Sequence, residues 1–337
     1  MAHHPGPAQP LELEAAGASH IGMRRHQEDF VLVRDDLLLY LVADGAGGHK
    51  AGDVASALAA RSISNFVGST VRATHEKPEY DRFGLPTGAR RLAMAVQKAN
   101  RDILEISRTH RQHRGMGTTV VALCFSPRSG LVHVANVGDS RCYRWRDGHL
   151  EQLTQDHSLL TDILEDRPDL DDAVLANLPK HVVTRALGMT EAVRVSVRSH
   201  SVADGDRFLL CSDGLSAPVS AEAISDTLSL DDPPAQTAQK LISLATEAGA
   251  RDNISALVVD CLGGPEVTLP PDPRRQAPAR PRDPTRSGEP SMPELLLLGI
   301  EEIDVDGGPA FQVVPTDTAT ADLARALDDL IKGPRSR

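Results

Sequence analysis

The chain has 337 residues, enough for one large domain or two ordinary ones, and its 40% hydrophobic content can bury a sizeable core. Aromatics are only 3%, so Leu, Val, Ile and Ala must do most of the packing. Thirty-six basic against 47 acidic residues leave a formal charge of −11, which argues against a nucleic-acid surface and asks where the surplus carboxylates go.

In chain order, residues 1–16 read as an N-terminal extension, with no basic segment and apolar run of a secretory signal. Residues 17–261 mix strands and helices. Phe30–Arg34 and Leu37–Ala43 are strand-like, joined by Asp35-Asp36. A helix is expected over Ala51–Phe66, and a second one where Leu92, Val96, Ala99, Ile103 and Ile106 recur at helical spacing. A strand series follows: Gly117–Phe125, Leu131–Val137 and Arg141–Trp145, then the turn signal Asp147-Gly148 before Leu150–Leu153. Val193–Val197, Arg207–Cys211 and Ile254–Val259 complete the strands, with helices at Ala221–Leu228 and Ala235–Glu247. Meandering strands with helices inserted in pairs predict an α+β architecture of antiparallel sheets packed face to face with helices outside.

Composition changes after Cys261. Gly263–Pro293 carries nine prolines, so residues 262–293 are expected to be an extended linker. Residues 294–337 then form a small segment with strand candidates at Leu295–Ile300 and Phe311–Val314. A helix from about Thr320 aligns Leu323, Leu327, Leu330 and Ile331 on one face, suited to docking on its own domain or on a partner. The four cysteines form no CxxC pair, and no apolar run approaches the roughly 18 residues of a membrane span, so a soluble cytoplasmic protein is expected.

Five short segments set acidic residues beside glycine or at strand ends: Gly22–Asp29, Ala43–His49, Asn136–Arg141, Ser212–Gly214 and Arg251–Asn253. A strand end brings a side chain to the rim of a sheet, and a neighbouring glycine lets backbone oxygens approach closely. Clustered carboxylates repel, and burying them unpaired is costly. A hard divalent cation resolves that conflict, and oxygen ligands without Cys or His point to Mg²⁺ or Mn²⁺ rather than zinc. Two such ions can deprotonate a shared water for in-line attack on phosphorus, with an arginine fork on the phosphate oxygens.

In this order the segments resemble the metal-dependent protein phosphatases of the PPM family, type 2C, and especially its bacterial members. The resemblance runs from about Gly17 to Asp260. The opening R-x-x-N-E-D appears as Arg24 to Asp29, with Gln27 in place of Asn. D-G-x-G-G-H is Asp44 to His49, G-T-T is Gly117 to Thr119, N-x-G-D-S-R is Asn136 to Arg141, and the S-D-G and D-N segments follow. The resemblance implies a four-layer α-β-β-α sandwich with a dinuclear site at one end. It also implies hydrolysis of phosphoserine or phosphothreonine on proteins by a hydroxide bridging two ions. Asp44 would bridge both metals and Gly45 would lend its carbonyl. Asp213 and Asp252 would hold the first ion, and Glu28 and Asp29 would lie beside the second. Asp139, with Asp213, would hold a weaker third ion, and Arg24 would grip the phosphate.

Ala217 stands where many members carry an acidic residue, which weakens the third site. The run Asp166–Asp172 falls in the family's flap and reads as a solvated helix–loop or as a surface for basic substrates. His26, His49 and His157 are each as compatible with a structural hydrogen bond as with a proton donor. Phosphoproteins are the expected partners, and a Ser/Thr kinase is a plausible one. The alternative is a catalytically weak or inactive regulatory module of the same fold that binds phosphoproteins. A calcium-binding structural protein fits less well, because the acidic residues form no contiguous EF-hand loop. A nucleotide-binding enzyme would need a GxxxxGK[ST] loop, which does not occur.

Overall fold

The computed structural model describes residues 11–46, 51–72, 80, 85–167, 169–170, 178, 182–263 and 300–305. Its strands are β1 Glu12–His20, β2 Asp29–Arg34, β3 Leu39–Ala46, β4 Gly117–Thr118, β5 Val120–Ser126 and β6 Leu131–Val137. They continue as β7 Arg141–Arg146, β8 His149–Gln152, β9 Val195–Ser201, β10 Arg207–Cys211, β11 Ile254–Leu262 and β12 Ile300–Val305. The helices are α1 Gly52–Arg72, α2 Thr87–Thr109, α3 Leu159–Asp166, α4 Asp213–Ser216, α5 Ala221–Leu228 and α6 Pro234–Glu247.

Two sheets form, one in the order β1-β11-β10-β7-β8 and the other β12-β9-β6-β5-β3-β2, with β4 paired to the end of β3. Alternation along each strand sorts side chains into three apolar layers. From β3 and β5, Leu39, Leu41, Ala43, Val120, Ala122 and Cys124 pack under α1 and α2. Their neighbours Tyr40, Val42, Val121, Leu123 and Phe125 face the other sheet and meet Phe208, Leu210, Leu257 and Val259. The outer face of that sheet, with Leu209, Cys211, Ala256 and Val258, packs on Leu241, Ile242 and Ala245 of α6. Three layers of core between four layers of structure make the α-β-β-α sandwich expected from the sequence. In the middle layer Phe125 makes edge-on contacts with Tyr40 at 5.9 Å and Phe208 at 5.7 Å between ring centroids.

Every strand pair is antiparallel except β12, which adds in parallel to β9 from Ile300 opposite Val195. One expectation shifts. The supposed extension enters the sheet at Glu12, because β1 pairs with β11 along its whole length, from Glu12 opposite Leu262 to His20 opposite Ile254. Of the strand expected at Leu295–Ile300, only Ile300 is among the described residues, and there it opens a strand that runs to Val305. Phe311–Val314 and the C-terminal helix lie outside the described residues. Among the described residues, no helix is long and apolar enough to cross a membrane, and all four cysteines are free and buried.

Candidate active site

Antiparallel topology gathers the five segments at one end of the sandwich. Asp29 starts β2 and sits opposite Asp44 near the end of β3. Beyond the end of β6 comes Asp139, before β7 begins with Arg141 opposite Cys211. Asp213 follows the end of β10, and Asp252 precedes β11. Asp29 and Asp44 therefore come from one sheet, Asp213 and Asp252 from the other, and Asp139 from the crossover between them.

Asp44 stands at the centre of this group. Burial pushes its carboxyl well above the ordinary range, and the charges of Asp29, Asp213, Asp252 and Asp139 all push the same way. Asp29 is 7% exposed. Burial raises its carboxyl to about 6, with Asp213 and Asp252 adding to the effect and hydroxyls of Ser255 and Ser212 opposing it. Asp139 is likewise raised to about 6 by burial and by Asp213. Glu28 is raised mainly by burial, against the opposing charge of Arg24 and a hydrogen bond from the Gly52 backbone.

Backbone hydrogen bonds fix these groups. The Thr118 hydroxyl and the Thr119 N–H both donate to the Asp44 carbonyl, each at 2.8 Å. Thr119 Oγ1 also pairs with Ser140 Oγ at 2.7 Å, tying the Asp44 strand to the Asp139 turn. Gly138 sits at φ +110°, and a Cβ there would meet Thr119 Cβ at 2.5 Å, so the turn requires glycine. A Cβ on Gly52 would stand 2.8 Å from both Glu28 Oε1 and the Gly45 carbonyl oxygen. The bare helix start thus leaves room where those two oxygens approach one another.

Arg24 is half exposed and donates to Asp252 Oδ2 at 2.6 Å. Ser212 Oγ donates to Asp29 Oδ2 at 2.8 Å, whereas Asp29 Oδ1 is buried with no partner. Among the described residues, no three His, Cys, Asp or Glu side chains stand as a ready-made ion cage. The donor set still fits a hard divalent ion: it is all oxygen, it includes an orphaned buried carboxylate oxygen, and burial holds the carboxyls of Glu28, Asp29, Asp44 and Asp139 above their ordinary range.

Two residues flanking the cluster prove structural. Arg141 forks onto Asp156, with Nη2 at 2.7 Å from Oδ2 and Nε at 2.9 Å from Oδ1. His157 accepts from the Gly138 N–H at Nδ1 (3.0 Å) and pairs through Nε2 with Ser196 Oγ at 2.9 Å. Burial lowers its imidazole to about 3, so it stays neutral with both nitrogens engaged. His26 is exposed and His49 lies outside the described residues. The acidic run begins at the end of α3, and its Asp169 pairs on the surface with Arg167 at 3.2 Å.

The family model for protein phosphatase 2C matches residues 16–258, most of the chain and all five acidic segments. The chain belongs to the protein phosphatase 2C family. Its enzyme class is that of the family, a protein-serine/threonine phosphatase. Among relatives, it is 34% identical over 242 residues to the serine/threonine phosphatase stp of Listeria monocytogenes, covering 71% of this chain and 91% of that one. It is also 34% identical over 252 residues to the serine/threonine protein phosphatase PstP of Mycobacterium tuberculosis, covering 74% of this chain and 45% of that one. The crystal structure of the Mycobacterium tuberculosis phosphatase PstP/Ppp superposes with a TM-score of 0.64 at 31% identity, over 74% of this chain and 98% of that one. A second structure, of the PstP catalytic domain in complex with two manganese ions, gives 0.61 at 32% identity, over 75% and 99%.

Within the motifs of this phosphatase 2C chain, the structure gives a role to five positioning groups: Thr118, Thr119, Ser140, Ser212 and Asn253. All five are visible in the sequence as motif letters without a role, because their partners are remote in sequence.

Proposed function

We propose that this chain hydrolyses phosphoserine and phosphothreonine in proteins with the aid of two divalent ions, Mn²⁺ or Mg²⁺, held at the carboxylate rim. The observation that carries the reading is the convergence of Asp29, Asp139, Asp213 and Asp252 on the buried Asp44. Asp44 would bridge the ions with help from the Gly45 carbonyl. Asp213 and Asp252 would hold one ion, and Glu28 and Asp29 would flank the other. Asp139 would share a weaker third position with Asp213, which lacks a further carboxylate at Ala217. When bound, the two ions supply the nucleophile by lowering the pKa of a water they share.

The chain's own groups do the rest. Arg24, on the half-exposed lip of the site, grips the phosphate oxygens and offsets their charge. Its guanidinium would exchange the present pairing with Asp252 for the phosphate oxygens. Thr118 and Thr119 hold the Asp44 backbone so that the carboxylate is placed before substrate arrives. The sandwich would be the catalytic unit, and the reducing cytoplasm suits its four free thiols; the linker expected over 262–293 lies, from residue 264 on, outside the described residues.

The test is phosphate release from a phosphothreonine peptide by the full chain, with Mn²⁺ or with chelator, for wild type and Asp44→Asn. Hydrolysis that requires metal and disappears in the variant is the expected result. No hydrolysis by wild type at millimolar Mn²⁺ would overturn the reading in favour of a regulatory module of the same fold.

A further inference from the structure

The loop that carries Arg24 has few anchors of its own. It runs from the end of β1 at His20 to the start of β2 at Asp29. Its backbone-to-backbone bonds are a single turn, from the Arg24 N–H to the Ile21 carbonyl at 3.3 Å, and the Gly45 N–H of β3 donating to the Glu28 carbonyl at 3.2 Å. Side chains add the Ser56 hydroxyl on that same carbonyl and His20 Nδ1 on the Gly22 N–H, all of them at the two ends of the loop. Arg24 and its neighbours Met23, Arg25 and His26 are exposed. An arginine on such a loop would sample many positions unless something outside the loop held it.

Asn253 supplies that hold. Its side chain is almost fully buried, at 3% exposure. Oδ1 accepts from the Glu28 N–H at 2.7 Å. Nδ2 donates to the Ile21 carbonyl at 2.9 Å and to the His26 carbonyl at 3.0 Å. One carboxamide thus uses an acceptor and both donors on three backbone groups of the same loop, before and after Arg24. Neither a carboxylate nor a hydroxyl offers that combination.

The fit is close on both sides. Gly22, at φ +60°, lies so near the Asp252 carbonyl that a Cβ would stand 1.9 Å from its oxygen. On the other side, a Cβ at Gly214 would stand 1.9 Å from the Asn253 carbonyl oxygen. The Asp252-Asn253 pair is therefore clasped between the arginine loop and the turn that carries Asp213. Asp252 is itself oriented from both ends, Oδ1 by the Asn253 N–H at 2.8 Å and Oδ2 by Arg24 at 2.6 Å.

We infer that Asn253 is a positioning residue for phosphate capture: its carboxamide sets the Ile21–Glu28 loop so that Arg24 stands over Asp252. The inference rests on Arg24 as the phosphate-binding group. It gives the asparagine that follows a proposed metal ligand a separate duty toward substrate. Its removal frees the loop and lowers the fraction of protein with Arg24 in place, so substrate binding suffers more than turnover.

The experiment uses the full chain at saturating Mn²⁺ and compares wild type, Asn253→Ala, Gly22→Ala, Arg24→Ala and the double variant Asn253→Ala/Arg24→Ala. Gly22→Ala keeps the carboxamide but pushes the loop off the Asp252 backbone, next to the Ile21 carbonyl that the carboxamide holds, and it serves should Asn253→Ala fold poorly. The readouts are KM and kcat for a phosphothreonine peptide, the inhibition constant of inorganic phosphate, and Mn²⁺ affinity by calorimetry. The expected result is a rise of about tenfold in KM and in the phosphate constant for Asn253→Ala and Gly22→Ala, the size of one misplaced charge-assisted hydrogen bond. In Asn253→Ala kcat falls less than about threefold and Mn²⁺ affinity stays within about twofold, while the Asn253 effect vanishes in the Arg24→Ala background. An unchanged phosphate constant in both loop variants, or an equal rise in the Arg24→Ala background, would overturn the inference. An Arg24→Ala protein with wild-type phosphate inhibition would overturn the prior assignment of Arg24, and this inference with it.

Discussion

Removing a negative charge from the rim should stabilise the metal-free protein. Asp29 is the most direct case, since burial raises its carboxyl from 3.8 to about 6 even with two serine hydroxyls helping the ionised form. At about 1.4 kcal/mol per pH unit, holding that group ionised at neutral pH costs about 3 kcal/mol. The Asp29→Asn change keeps the shape of the side chain and removes its charge. Imperfect hydrogen bonding by the amide should take back about half, leaving about 1.5 kcal/mol, or about 3–6 °C in Tm for a domain of this size. The pH dependence has a definite sign. Between about 3.8 and 6 the folded state binds the Asp29 proton and the unfolded chain does not, so stability from this group falls as pH rises through that window. Thermal unfolding in chelator should therefore show the variant more stable than wild type at pH 7.5, with the gap closing near pH 4.5. With millimolar Mn²⁺ the order should reverse, because wild type gains more from the ion. A variant no more stable than wild type in chelator at pH 7.5, or one whose advantage persists undiminished at pH 4.5, would refute the reasoning.

Other perturbations follow from the same structure. Arg207 reaches Asp260 at 2.6 Å and the carbonyls of Leu228, Leu230 and Asp232; Arg207→Met should cost about 3–5 kcal/mol in urea unfolding, since Asp260 is left buried and unpaired. Gly138→Ala forces a side chain into Thr119 at a left-handed backbone position, so about 2 kcal/mol of stability should go together with most of the phosphatase activity. His133 is buried between Ser126 and Ser199, and burial, with Arg91 and His200 nearby, lowers its imidazole to about 3. The unfolded chain therefore takes up that proton first, and stability is lost as pH falls from 6.5 toward 3. A His133→Gln protein should lose less Tm than wild type between pH 6.5 and 4.5.

The strands easiest to read are those buried on both faces. Leu131–Val137 and Arg207–Cys211 are bounded by glycine or charged turns, and the structure keeps those limits. β1 escapes such a reading although Leu11-Glu12-Leu13-Glu14 alternates as a half-buried strand should. The small residues that follow it carry little apolar signal. β3 runs on through Asp44 to Ala46 because β4 pairs with that end, a tertiary effect that local pattern does not contain. The site divides in the same way. Its carboxylates stand out as Asp beside Gly, and the family resemblance orders them. Asn253 bonding Glu28, or Ser212 bonding Asp29, joins residues about two hundred positions apart, and only folding brings them together.

The pairing of Glu12 with Leu262 fixes where the sandwich can be handled. Both residues lie at the pole opposite the carboxylates, since β11 leaves Asp252 at one end and reaches Leu262 at the other. At about 3.4 Å per residue that separation is about 30 Å. Cargo spliced before Glu12 or after Leu262 would emerge side by side, away from the entrance used by substrate. An immobilisation handle or fluorescent reporter placed there leaves the catalytic mouth open. Joining Glu12 to Leu262 by a short bridge and cutting the chain in an exposed turn such as Asp147-Gly148 would give a rearranged protein with the same rim but without β12 beside β9.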